Sequence, residues 1–426
     1  MRKLISLLVI ALCCVCSDGA ANDYLNRCNL KLLDVIMEDI FSPPVAGRIQ
    51  VYSNIAAYEV LCLKYNTLHS LSRQITHLQA IPKPTKKIDY AVAAECAFIG
   101  VAKKLVYSEH LLDSFLNAEK RYWPKNPALI QQSTAYAQTV TQYLFEWIKK
   151  DHYIETRTMQ RYVLNDSLGA WKPTAPEYNN ALEPNWPLIR SFVAPRSDYV
   201  KAIPNIPYSE DKTSLYYQNA LAVYLSDQEK DSSKINTALY WDDNPNTAVV
   251  KGHATYFIHK VTPGGHWMKI TAQALRKVKA NEEQSAEVFT LVSIAIFEGF
   301  LSCWAEKFQS NSVRPETYIN RLIDAKWLPL IETPPFPEYT SGHSVVSAAA
   351  SSMLTHFFPK MYPVVDSSQM YLGLAPRTFK SFRDASDQAS VSRFYGGIHY
   401  MPSLDNGALQ GREVTGFILD KIKTRR

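Results

Sequence analysis

The sequence predicts an all-α protein whose helices pack in bundles rather than on a sheet. Three observations lead there: apolar residues recur at i, i+3, i+4 and i+7 in several windows, prolines punctuate those windows, and alternating runs bounded by turn pairs are nearly absent. The 426 residues, 46% hydrophobic and 20% charged, exceed the roughly 100–200 of one ordinary domain and hold ample apolar mass for a core, which excludes a disordered chain. With 15 Gly and 7 Cys, collagen-like repeats and disulfide-dense miniatures are excluded as well.

At the N-terminus Arg2 and Lys3 precede the uncharged stretch Leu4 to Cys16, too short for a membrane span and the right length for the apolar part of a secretory signal. Residues 1–16 are therefore expected to be a signal peptide. Cys16-Ser17-Asp18 resembles the start of a mature bacterial lipoprotein, although Leu12 and Val15 stand where small residues are expected. Export follows, to the periplasm, to the outer membrane as a lipoprotein, or to the medium. The formal charge is +6; without Arg2 and Lys3 the body keeps about +4, too little for nucleic acid and compatible with an anionic ligand. Cys28, Cys62, Cys96 and Cys303 are widely spaced, without a CxxC pattern, and read as buried free thiols. After residue 20 no apolar run approaches the roughly 18 residues of a span. The best, Val288 to Phe297, ends at Glu298, so the mature body is expected to have no membrane-spanning segment.

Amphipathic windows follow at 25–41 and 46–66, separated by Ser42-Pro43-Pro44, and at 89–121 and 128–150. Between 152 and 212 the helical period gives way to Trp, Tyr, Pro and Asn, as in Pro184-Asn185-Trp186-Pro187. Long irregular segments in compact proteins are usually functional or wrap the surface. This one divides an N-terminal half, 22–212, from a C-terminal half, 213–426, where the windows resume at 214–230, 284–309, 344–357 and 405–423.

Three segments of the C-terminal half combine basic or proton-transferring side chains with a helix end or tight turn. In 307–315, Lys307 lies near the end of a helix and Arg314 precedes a proline, which re-aims it out of the α region. In 340–343, Ser341 and Gly342 fall where the free N–H groups of a starting helix bind anions, with His343 beside them. In 392–399, Gly396-Gly397 lets the backbone fold tightly enough for Arg393 and His399 to face one cavity. Alone, each is ordinary: a cation complementing a helix dipole, a bare Ser-Gly-His, an aromatic-glycine turn. Together they supply three positive charges, a hydroxyl, an N–H and two imidazoles, which suits a tetrahedral oxyanion with one histidine in line and another managing protons. Their ordered coincidence by chance is on the order of 10⁻⁵.

Lys-x6-Arg-Pro at 307–315, Ser-Gly-His at 341–343 and Ser-Arg-x5-His at 392–399 resemble the signature of the vanadium-dependent haloperoxidase and type 2 phosphatidic acid phosphatase superfamily. One departure is Thr340, where the signature has proline; no ligand is lost. The resemblance implies that Lys307, Arg314, Ser341, Gly342 and Arg393 hold the equatorial oxygens of vanadate or phosphate, that His399 is the apical ligand of vanadium or the nucleophile, and that His343 is the acid–base. Lys307 would also polarise peroxide. Tyr240-Trp241-Asp242-Asp243-Asn244-Pro245 and Gly265-His266-Trp267 resemble soluble bacterial members, and Trp304 and Phe336 match positions lining the halide side of the pocket. The superfamily's soluble peroxidases have two helical bundles packed as one compact unit, the architecture expected here.

The body without spans and the two pocket aromatics favour a vanadate-dependent haloperoxidase that oxidises iodide or bromide with hydrogen peroxide. A soluble exported acid phosphatase, working on phosphate monoesters through a phosphohistidine, is the alternative, and a non-catalytic oxyanion-binding lipoprotein a third reading. An oligomer is compatible with all three. His253, His259 and His266 lack zinc-ligand spacing, and Glu332 and Glu338 flank the second block without evidence of a paired-carboxylate mechanism.

Overall fold

The computed structural model describes residues 23–245, 248–251 and 253–425; the expected signal segment 1–16 with Cys16 lies outside them. The chain enters as α1 (Tyr24–Glu38) and α2 (Pro43–Cys62), parted at Ser42-Pro43-Pro44 with a proline in the first turn of α2, where its missing N–H costs nothing. The single window at 89–121 resolves into α3 (Tyr90–Lys103) and α4 (Glu109–Glu119). The break has a local cause: the Asp39 carboxylate accepts the N–H groups of Tyr107 (2.8 Å) and Ser108 (3.1 Å), taking them out of any helical ladder. Then come α5 (Pro127–Ile148), capped by Asn126, and the short α6 (Tyr153–Thr158).

The aromatic stretch that follows is a strap. Beyond α6 its only described helix is the turn Trp186–Leu188, yet Trp171, Trp186, Ile189 and Phe192 are buried. It docks on the helix at the centre of the molecule, α10 below, whose Glu298 accepts from Ser191 Oγ (2.8 Å) and Phe192 N (2.6 Å) and whose Phe297 meets the ring of Phe192 at 4.8 Å.

The C-terminal half runs α7 (Leu215–Gln228), α8 (Ser232–Tyr240), the antiparallel pair β1 (Ala248–Lys251) and β2 (Ala254–Phe257), α9 (Pro263–Lys277), α10 (Glu282–Ser310), α11 (Pro315–Leu322), α12 (Gly342–Phe357), the antiparallel pair β3 (Val364–Asp366) and β4 (Arg377–Phe379), α13 (Phe382–Tyr395) and α14 (Met401–Lys421). The all-α expectation holds. Of the helices that escape the periodicity reading, α8 and α11 are short, at 9 and 8 residues, α13 buries mostly small and polar side chains such as Ser386, Ser390 and Ser392, and α9 opens on Pro263-Gly264-Gly265, which reads as a turn. The strands, three or four residues each, are too short to alternate visibly.

Helix α10 organises the core. A capping box of Asn281 and Gln284 starts it and Asn311 ends it in the left-handed conformation. It packs against α2 on one side and α12 and α14 on another. By length and composition it would cross a membrane, but its most apolar stretch is entirely buried inside the protein, the mark of a core helix. Its last turn, the starts of α11 and α12, and the end of α13 converge at one point.

Candidate active site

Each sequence-predicted cation reaches that point from a helix end. Lys307, in the last turn of α10, is fully buried, and its Nζ donates to the carbonyls of Pro337 (2.9 Å) and Glu338 (3.0 Å) while lying 5.0 Å from the centre of the Phe336 ring. Arg314, at the N-cap of α11, donates through Nε to Phe336 O (2.9 Å) and through Nη1 to Ile398 O (2.9 Å). Arg393, in the last turn of α13, donates through Nη1 to Trp241 O (2.7 Å), and its Nη2 lies 3.8 Å from Asp242 Oδ1. Burial disfavours charge on all three; the Lys307 ammonium falls to about 7 and the Arg314 guanidinium to about 10.

The second block starts α12 as expected. Ser341 is its N-cap, with Oγ accepting from Ser344 N (3.3 Å), and Gly342 opens the helix with space above its Cα bounded by Trp304 and Lys307. His343 Nε2 is buried without a hydrogen-bond partner, 3.9 Å from Asp243 Oδ2. In the third block Gly397 adopts φ +79°, a turn that returns the chain so that His399 meets Arg314: Arg314 Nη1 and His399 Nε2 are 3.1 Å apart. Both histidines are held well below the ordinary imidazole range, by burial first, then for His343 by Arg393 and for His399 by Arg314 and Lys307.

Trp304, Phe336, Gly342, His343, Arg393 and His399 line one cavity of about 30 Å³, with Leu182 of the strap in its wall. The Trp304 and Phe336 rings are 5.0 Å apart, and Trp304 Nε1 donates to Leu182 O (3.2 Å), so the strap covers the site. Lys307, Arg314 and Ser341 form the layer directly behind. The space is a few times what one water needs and far below the few hundred Å³ of an organic-ligand pocket.

Two groups escaped prediction as site residues. Glu338 Oε1 receives a 2.6 Å hydrogen bond from His399 Nδ1 and one from Tyr400 N (3.2 Å); the sequence marks it only as a carboxylate beside the second block. Behind His343, Asp243 and Asp366 clamp His266, with Nδ1 3.0 Å from Asp243 Oδ1 and Nε2 2.8 Å from Asp366 Oδ2. Burial opposes charge on His266, but the two carboxylates outweigh it and raise it to about 10. The only sequence signal was the Asp242-Asp243 and Gly265-His266 context.

The donor set fits a tetrahedral oxyanion. Arg314 Nη2 and Arg393 Nε are buried N–H donors without partners, and unpaired buried donors are costly unless a ligand completes them. His399 donates through Nδ1 to Glu338, so the lone pair at Nε2 is turned to Arg314 and the cavity. A measurable consequence concerns Lys307. Burial depresses its ammonium to about 7, and a bound dianion pushes it back up. Sulfate, which does not itself titrate, should therefore bind with net proton uptake above pH 7, falling as the pH drops below it. Calorimetry in two buffers of different ionisation enthalpy reads this; identical heats would contradict it.

Residues 287–425 match the family model of the VCPO second helical-bundle domain. Among solved structures, the chain is similar to the first bacterial vanadium-dependent iodoperoxidase, with TM-score 0.90 and 39% identity over 95% of this chain and 97% of that one. It also resembles the holo-type bacterial vanadium-dependent chloroperoxidase (TM-score 0.67, 13% identity, 90% and 94% coverage) and its apo-type structure (0.68, 13%, 89% and 95%), a likeness of fold alone. No curated protein matches.

Proposed function

The chain belongs to the vanadium-dependent haloperoxidases, and from that premise we propose that it oxidises iodide, and bromide less readily, with hydrogen peroxide to hypohalous acid on a vanadate held by Lys307, Arg314, Ser341, Gly342, Arg393 and His399. The observation carrying this reading is the meeting of three buried cations, two imidazoles and unpaired donors at one small cavity walled by Trp304 and Phe336. Iodide is placed first because the 39%-identical relative is an iodoperoxidase by name and because aromatic walls suit a large, polarisable, weakly hydrated halide better than a small one.

When bound, vanadate supplies a Lewis acid that activates peroxide toward halide without changing oxidation state. The chain's own residues do the rest. Lys307, Arg314 and Arg393 neutralise the oxyanion with fixed N–H donors that need no reorganisation. His399 offers its Nε2 lone pair. His343, neutral at working pH and with Nε2 free, takes and returns a proton there, with Asp243 3.9 Å away to favour the imidazolium. Leu182, Trp304 and Phe336 limit water. Export, proposed from the N-terminal 16 residues, would bring the enzyme to extracellular or periplasmic halide and peroxide.

The test is to titrate vanadate into purified protein and assay iodide and bromide oxidation beside hydrolysis of a chromogenic phosphate ester. Vanadate-dependent halide turnover, faster with iodide, is expected. Ester hydrolysis that vanadate inhibits, with no halide turnover, would sink the reading in favour of a phosphatase.

A further inference from the structure

His399 is gripped by a group that anion binding does not require. Glu338 is fully buried; its backbone N donates to Ser312 O (2.9 Å), its carbonyl receives Lys307 Nζ, and its Oε1 receives both His399 Nδ1 and Tyr400 N. Oε2 has no hydrogen-bond partner. A carboxylate one residue removed from the cradle repels any oxyanion and is costly to bury. For electrostatic capture alone, a neutral acceptor at this position would serve better.

We propose that Glu338 is a positioning residue that selects vanadate over phosphate by acting through His399. Two effects lie along one hydrogen bond. Accepting from Nδ1–H holds the tautomer whose Nε2 lone pair points away from Glu338, towards Arg314 and the cavity, and the adjacent negative charge makes that lone pair a stronger donor. Vanadate, as a Lewis acid, would draw on that lone pair. Phosphate is held by charge and hydrogen bonds, which Lys307, Arg314 and Arg393 supply without Glu338. The inference rests on the vanadate reading of the site and adds to it a cause of ligand preference.

Calorimetric titration of the full-length protein with vanadate and, separately, with inorganic phosphate tests it in the wild type, Glu338→Gln and Glu338→Ala. Glutamine keeps an acceptor for Nδ1–H and Tyr400 N but drops the charge; alanine removes both. Vanadate affinity should fall about 10-fold in the glutamine variant and about 100-fold in the alanine variant, while phosphate affinity holds or rises because a repelling charge has gone. Parallel loss of both ligands would mean that Glu338 merely supports the fold and would overturn the proposal, as would unchanged vanadate affinity in both variants. A wild type that binds vanadate no more tightly than phosphate would instead bring down the vanadate reading itself.

Discussion

Replacing His399 by alanine is expected to lower halide oxidation by at least about a thousandfold in kcat/KM while leaving a folded protein that still binds sulfate or phosphate. The two halves of this expectation have separate sources. Anion affinity comes from Lys307, Arg314 and Arg393, fixed by carbonyls of residues 336–338, Ile398 and Trp241, none of which is a His399 side-chain contact. Coordination is proposed to come from His399 Nε2: the other imidazole at the cavity, His343, opens α12 and has its Nε2 on the Asp243 side. Truncation also frees Arg314 Nη1 and Glu338 Oε1, the two partners the ring now separates. These carry opposite charge, so much of the desolvation penalty is relieved by their pairing across the space left behind. Halide-dependent turnover, sulfate calorimetry and thermal unfolding on the same sample separate the outcomes. Turnover close to wild type would show that the coordinating nitrogen has been misassigned.

The blocks that carry this chemistry are legible in the sequence because their geometry is local. Ser341 caps the helix it opens, Arg314 is turned by the proline after it, and Gly397 supplies the left-handed φ that returns His399. The groups that tune them are not legible. Glu338 and His399 are 61 residues apart, and His266 reaches Asp366 across 100; nothing in the neighbourhood of any one of them marks the partner. Helix α13 was missed for a related reason: it buries Ser386, Ser390, Ser392 and Arg393, and a helix face that serves a polar site shows little of an apolar stripe. Helix α9 does bury an apolar face, Trp267, Ile270 and Ala274, behind a Pro263-Gly264-Gly265 opening that reads as a turn. The strap at 152–212 stands out by composition, yet only the fold shows that Leu182 walls the cavity and that Glu298, inside the long central helix, receives the strap.

A single methyl group at Gly411 is expected to destabilise the protein by about 3 kcal/mol or more, and to damage the site from a distance. A Cβ there would lie 2.1 Å from Val345 O, 2.9 Å from Ala348 Cβ and 3.0 Å from Ala349 N. All three belong to α12, and two are backbone atoms within an intact helix, so no side chain can swing aside and the whole of α14 must move off α12. That contact also spaces the site. Helix α12 begins at Gly342 and His343; α14 begins two residues after His399; and Ser341 N donates to Ser403 O at 3.2 Å where the two starts cross. Parting the helices therefore separates His343 from His399, and a displacement near 1 Å between catalytic groups costs roughly a hundredfold in rate. Gly416, one and a half turns further along α14, is the control, since nothing lies within 4 Å of its added Cβ; alanine there should be neutral or stabilising by up to about 1 kcal/mol through helix propensity. Thermal unfolding of both variants, with vanadate-dependent iodide oxidation measured well below the transition, decides the matter. Gly411→Ala melting with Gly416→Ala and keeping full turnover would mean that α12 and α14 do not cross as closely as described, and that their crossing does not set the distance between the two histidines.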